Sequence, residues 1–331
     1  MTAPAERGPV NVTTQAPWRS ADTIAQMQRF NRTLAWLPRF RIRNRLAPTA
    51  IQTLLRAGQF AGLRSLAKHG LQARTRLGGL PDTPVPVRII RPDGPSKGLV
   101  LDIHGGGWVI GNAQMNDDVN AALVKACQVT VVSVDYRLAT TTPLQGLLDD
   151  CLSAARWLLE SEDEAFAGLP VIVIGESAGA HLAAATLLSL KAWPDLLARI
   201  KGTVLYYGVY DLTGTPSVHS AGPDTLVLDG PGMVEALRRL TPDMSDQQRR
   251  SPPLSPLYGD LDGLPPALLF AGEIDPLRDD TRLMAERWSQ VAPAETHLLP
   301  AAPHGFLHFP VPLAQQVQAH THAWVNQRLA G

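Results

Sequence analysis

The sequence predicts an α/β protein, a mostly parallel sheet covered by helices on both faces. From about Val85 onward, short β-rich runs alternate with longer runs whose apolar residues recur at helical spacing. Those β-rich runs are apolar nearly throughout, as strands buried on both faces are. A length of 331 residues with 45% hydrophobic and 18% charged residues suits one large domain, or a core with a smaller lid.

Residues up to about Leu80 read as helical. Ala21–Leu37 and Thr49–His69 carry apolar positions at helical spacing, and Ser20 suits an N-cap before the first. No strand is expected there, so 1–80 reads as an appended helical segment. Strands are then predicted at Val85–Arg91, Gly98–Ile103, Val129–Asp135, Val171–Ile174, Thr203–Tyr207, Ala267–Ala271 and Thr296–Leu299. Helices are predicted at Asp117–Cys127, Leu144–Glu160, Ala178–Leu190, Arg278–Gln290 and Leu313–Arg328. Leu212 to about Pro253 breaks the rhythm. It is rich in Pro, Gly and Asp, with short helical pieces such as Met233–Leu240, and reads as a lid. The division expected is 1–80, a core of 81–211 and 254–331, and an insertion at 212–253.

Lys plus Arg and Asp plus Glu balance at 30 each, so nucleic acid is not expected as a partner. Arg39, Arg41, Arg43 and Arg45 read as a solvated basic surface. Cys127 and Cys151 lie in helical runs and read as buried thiols, with neither a disulfide framework nor metal spacing. The start, MTAPAERGPV, has no apolar core of the kind a secretory signal needs. Glu176 and His181 interrupt the longest apolar stretch, Pro170–Leu190, which argues against a membrane span. A soluble, cytoplasmic protein is the expectation.

Four short motifs carry chemistry. GESAG, Gly175–Gly179, follows the strand VIVI and precedes a helix, the setting of a strained turn that projects the Ser177 hydroxyl. The helix beginning after Ser177 favours negative charge at its N-terminus. HGGG, His104–Gly107, follows the strand LVLDI, and its glycines let backbone amides approach a ligand. Amides of Gly105, Gly106 and Ala178 are the candidates to hold an oxyanion, with His104 fixing the loop. Gly105, Gly107 and Gly111, followed by a strand ending in Asp135, also resemble a dinucleotide-binding turn. That reading leaves GESAG and the C-terminal histidine without a role.

Asp275 follows the strand ALLFA and precedes Pro276 at a helix start, so by itself it also reads as an acidic N-cap. Asp279 and Asp280 read as solvated or as facing the helix dipole, and Glu273 is the other acid nearby. His304 sits in PHGF after the strand THLLP, with His308 its near competitor. No histidine forms a metal-ligand set with carboxylates by spacing, so no metal is expected. Ser177, Asp275 and His304 each fall just beyond the C-terminal end of a predicted strand. In a parallel sheet those ends share one edge, so the three can meet as nucleophile, orienting acid and general base.

Through these motifs the sequence resembles the hormone-sensitive-lipase-like esterases of the α/β-hydrolase fold. The similarity runs from about Pro86 to the C-terminus and includes DYRLA (Asp135–Ala139) and SPLYGDLDGLPPALLFAGEIDPLRDD (Ser255–Asp280). It implies an eight-stranded, mostly parallel sheet and a helical cap built from the N-terminus and an insertion after the sixth strand. It also implies Asp275 and His304 as partners of Ser177. Two departures stand out: TTTPLQGLLDD follows DYRLA in place of a proline-rich stretch, and the elbow reads GESAGA.

The expected reaction is hydrolysis of short- to medium-chain carboxylic esters through an acyl-enzyme. Trp108, Tyr207, Leu212, Leu277 and Phe306 adjoin the motifs and are the candidate pocket walls. No cofactor is implied. The expected partner is a small-molecule ester, with a homodimer left open. Amides, formamides or lactones are alternative substrates, since fold does not separate them. A non-catalytic small-ligand receptor and a nicotinamide-dependent reductase are the more distant readings.

Overall fold

The alternating runs become eight strands of one sheet. The computed structural model describes residues 16–41, 52–53 and 63–330. The strands are β1 (Ala73–Leu80), β2 (Thr83–Ile90), β3 (Gly98–Ile103), β4 (Val129–Val134), β5 (Val171–Glu176), β6 (Ile200–Tyr206), β7 (Ala267–Gly272) and β8 (Ala294–Leu299). Their spatial order is β1-β2-β4-β3-β5-β6-β7-β8. The β1/β2 and β2/β4 pairs are antiparallel, and every other pair is parallel.

Every residue of β3, β4, β5 and β7 is buried, which accounts for their continuous apolar runs. Alternation assigns their side chains to two cores. Leu99, Leu101, Ile103, Val171 and Val173 enter one, while Val100, Ile172 and Ile174 enter the other. The main helices are α1 (Ala21–Leu34), α2 (Leu63–Lys68), α3 (Asp117–Cys127), α4 (Leu144–Leu159), α5 (Ala178–Leu190), α6 (Met233–Leu240), α7 (Arg278–Trp288) and α8 (Pro312–Ala330). Helices α4, α5 and α7 bury their apolar faces in the first core, and α3, α8 and Met27 of α1 in the second. Ser20 caps α1, its side chain accepting from the Thr23 amide. Among the described residues no helix is long and apolar enough to cross a membrane.

One expectation is overturned. The stretch read as wholly helical to Leu80 contains β1, paired along its full length with β2. As an edge strand, β1 leaves most of its side chains partly or fully exposed, so ARTRLGGL has no apolar alternation to read. The predicted helix Thr49–His69 lies largely outside the described residues, apart from helical turns at 52–53 and Leu63–Lys68.

The loop between β3 and α3 is pinned by buried polar groups. Asp102 of β3 accepts from Ser133 Oγ at 2.7 Å, Asn120 Nδ2 at 2.8 Å and Asn116 Nδ2 at 3.1 Å. Burial pushes its pKa up even though these bonds favour the anion. Arg88 of β2 grips Asp117 with two bonds of 2.8 and 2.6 Å, both side chains nearly excluded from solvent. Asp117→Ala strands the Arg88 charge in the interior. It is expected to cost about 3–5 kcal/mol, read as a lowered urea-unfolding midpoint with an unchanged slope.

Candidate active site

Strand β5 ends at Glu176 and α5 begins at Ala178, so Ser177 alone makes the turn between them, at φ 53° and ψ −119°. A side-chain-bearing residue in this region stores about 1–3 kcal/mol of strain, which the surrounding packing must hold. Close approach explains the flanking glycine: a Cβ on Gly179 would lie 2.0 Å from the Ile103 carbonyl oxygen. With no side chain there, α5 closes onto the end of β3 and the serine hydroxyl stands at the sheet edge.

The other two strand ends bring their residues to the same place. Asp275 lies just beyond β7, and its Oδ1 accepts the Leu277 amide at 2.8 Å, as an N-cap-like acid does. Its Oδ2 is 2.9 Å from His304 Nδ1, and His304 Nε2 is 2.9 Å from Ser177 Oγ. Asp275 is 1% and His304 6% exposed. At Glu273 the backbone carbonyl accepts from Arg278. Asp279 and Asp280, expected to be solvated or to face the helix dipole, organise the chain after β6. Asp279 accepts the Ser217 amide, and Asp280 accepts the Tyr210 and Asp211 amides and the Thr215 hydroxyl. Burial pushes the Asp280 carboxyl up to about 7.

His308, the near competitor, has different work. Its Nε2 lies 2.6 Å from Glu176 Oε2, which also accepts from Tyr207 Oη at 2.8 Å. Glu176 Oε1 faces the Gly105 amide at 3.4 Å. Burial alone would raise the Glu176 carboxyl, but the His308 charge and these hydrogen bonds hold it at about 2. The carboxylate in turn raises the His308 imidazole against the opposing effect of its own burial.

The glycine loop is fixed from several sides. His104 stacks on Tyr136 with ring centroids 4.2 Å apart, and burial lowers its pKa. Tyr136 donates to the His104 carbonyl at 2.8 Å. Gly106 has φ 107°, and a Cβ there would meet the Ile110 carbonyl oxygen at 2.1 Å. Gln52, which the motifs gave no reason to single out, clamps Gly111 through both amide groups, at 2.8 and 2.7 Å. Ala178 is the first residue of α5, where a helix leaves its amide free of intrahelical bonds.

A cavity of about 460 Å³ opens over Ser177. Trp108 and Leu277 line it as expected. Trp108 is held at φ 64°, its indole N–H donating to His181 Nδ1 at 3.2 Å while His181 Nε2 donates to the Leu254 carbonyl. Tyr207, Leu212 and Phe306 do not line the cavity, which corrects their reading as walls. Tyr207 packs edge-on against His304 and Phe306 behind the site, and Leu212 belongs to the sheet core. The remaining walls include Phe40, Leu228, Met233 and Leu237. Phe40 reaches them because its backbone pairs with the insertion, its amide donating to Val227 and its carbonyl accepting from Asp229. Away from the cavity, Glu295, His297 and His320 converge, a grouping that their spacing in sequence did not reveal.

The sequence matches the family described as alpha/beta hydrolase fold over residues 100–308. It is 34% identical over 236 residues to the carboxylesterase NlhH of Mycobacterium tuberculosis, covering 69% of this chain and 72% of that one. The esterase LipW of Mycobacterium marinum superposes with a TM-score of 0.81 at 26% identity, over 94% of this chain and 98% of that one. A hormone-sensitive lipase from a metagenome library gives 0.74 at 25% identity, over 92% and 98%.

The Glu176–His308 pair makes stability pH-dependent in a defined direction. The raised His308 pKa stabilises fully below its ordinary value of 6.5, and that contribution is lost as pH rises through the raised value. The depressed Glu176 pKa stabilises above its ordinary 4.5 and is lost as pH falls through about 2. Wild-type protein is therefore expected to lose more stability than His308→Gln between about pH 6 and pH 9, measured as urea midpoints across that range.

Proposed function

The chain belongs to the hormone-sensitive-lipase-like carboxylesterases of the α/β-hydrolase fold, and from that premise we propose that it hydrolyses short- to medium-chain carboxylic esters with Ser177 as nucleophile. The observation that carries the reading is the continuous hydrogen-bonded line Ser177–His304–Asp275 at the floor of the cavity. In this mechanism His304 Nε2 takes the Ser177 proton as Oγ attacks the ester carbonyl. Asp275 accepts from His304 Nδ1, fixes the tautomer and stabilises the imidazolium. Amides of Gly105, Gly106 and Ala178 receive the oxyanion, the Gly105 amide being shared with Glu176. The imidazolium then protonates the leaving alcohol, and water repeats the sequence on the acyl-enzyme.

The substrate range follows from the walls. Phe40 of the N-terminal segment and the insertion 212–253 are read as a cap over the core, which β1 at 73–80 joins, supported by Phe40 and α6 meeting above Ser177. Phe40, Trp108, Leu228, Met233 and Leu237 present apolar surface, which suits an acyl chain or an unbranched alcohol. The buried free thiols Cys127 and Cys151 support a reducing, cytoplasmic setting.

Hydrolysis of p-nitrophenyl esters from acetate to laurate tests the reading. Turnover is expected to peak at short to medium chains and to fall by about 10⁴–10⁶ in Ser177→Ala. A folded Ser177→Ala protein keeping more than about a tenth of the activity overturns the mechanism. Met233→Trp narrows the cavity and is expected to move the preference to shorter chains, with about a tenfold loss in kcat/KM on the longest ester accepted.

A further inference from the structure

We propose that Glu295, His297 and His320 form a binding site for a divalent transition ion of the zinc class, separate from the cavity over Ser177. Among the described residues this is the one group of three or more His, Cys, Asp or Glu whose ligand atoms come close enough to share an ion, all lying within 4.8 Å of one another. Glu295 and His297 are two apart on β8 and therefore project from the same face of the strand. His320 comes from α8 and reaches that face. The Nε2 atoms of His297 and His320 lie 2.8 and 2.7 Å from a single oxygen, Oε1 of Glu295.

This convergence brings together the ligand types of a two-histidine, one-carboxylate site. Ligand atoms about 2.0–2.2 Å from a tetrahedral ion stand about 3.3–3.6 Å from one another, so each imidazole nitrogen must draw back from the Glu295 oxygen by roughly half an ångström or more as the ion seats between them. Imidazole nitrogen and carboxylate oxygen suit zinc, cobalt(II) and nickel(II) better than magnesium or calcium. Binding needs each imidazole to carry its proton on Nδ1, leaving the Nε2 lone pair to the ion. The rings are already held in place. His297 stacks on Phe270 at 5.2 Å, and Trp18 meets both imidazoles edge-on, at 4.9 and 5.3 Å. The side chains of Glu295 and His320 are each about one-third exposed, 32% and 33%, so an ion and its waters have a way in.

The consequence is mechanical. Such an ion ties the edge strand β8 to α8, under the N-terminal segment that carries Trp18. The site lies along β8, before the loop that carries His304, so its occupancy is expected to change stability and not ester turnover.

The test uses the untagged full-length chain freed of metal by chelation. Calorimetric titration with Zn²⁺ is expected to show one equivalent bound and a rise in Tm. Co²⁺ should give a visible d–d band, and Ni²⁺ should quench tryptophan fluorescence less in Trp18→Phe than in wild type. Glu295→Gln and His320→Ala are expected to weaken binding by more than about 10–100-fold, the cost of losing even a partner of a metal ligand. His322→Ala, two residues along α8 from His320, is expected to bind as wild type. Because His297 is buried and its loss could unfold the edge of the sheet, these two more exposed ligands carry the test. No stoichiometric binding at millimolar ion, or equal binding by wild type, Glu295→Gln and His320→Ala, overturns the proposal.

Discussion

Everything at the proposed site depends on how closely α5 can approach the end of β3. The Ile103 carbonyl occupies the space where a side chain at position 179 would begin. That contact forces the chain through a single-residue turn, and the turn puts Ser177 into a left-handed backbone that relaxed chains avoid. The strain is held by the sheet: β5 lies between β3 and β6 with every residue buried. The same approach aims the N-terminus of α5 at the space above Ser177, so one steric fact supplies both an exposed hydroxyl and a neighbouring free amide.

Beneath this turn lies a charge that the proposed chemistry does not use directly. Glu176 is buried beside Ser177, and an unpaired anion there would cost several kcal/mol. It is paired instead by His308, by the Tyr207 hydroxyl and by the Gly105 amide, three groups from three different parts of the chain. The carboxylate therefore joins the glycine loop, the end of β6 and the segment just past His304. Breaking one of these contacts leaves the others with a less balanced charge, which couples the geometry of the loop to that of the histidine segment.

Chain order implied spatial order where the strands run parallel. Ser177, Asp275 and His304 were legible because each follows a strand, and parallel strands put such residues on one edge. The sheet was legible where strands are buried on both faces and failed at β1, whose exposed edge imposes no apolar pattern. Adjacency to a motif was a poor guide to the cavity. Tyr207 and Phe306 flank the site in sequence, yet their backbones turn the rings into the core behind it. Phe40, Gln52 and the Glu295–His297–His320 group were invisible for another reason. Their meaning comes from contacts across 59 residues in one case and 25 in another, and no local periodicity records such contacts.

Anchoring differs between the parts that surround the cavity, and this separates reactivity from selectivity. Ser177, His304 and Asp275 are tied to one another by hydrogen bonds, and Asp275 and the glycine loop are held further by the Leu277 amide and the Tyr136 hydroxyl. The wall above them is held by apolar contact, by the backbone bridge between Phe40 and Leu228 and by the partly exposed ion pair Arg41–Asp229. Half-buried apolar contacts tolerate substitution better than buried hydrogen-bonded groups, because losing them strands no polar atom. Changes in α6 and around Phe40 can therefore alter which chain fits without disturbing the geometry below.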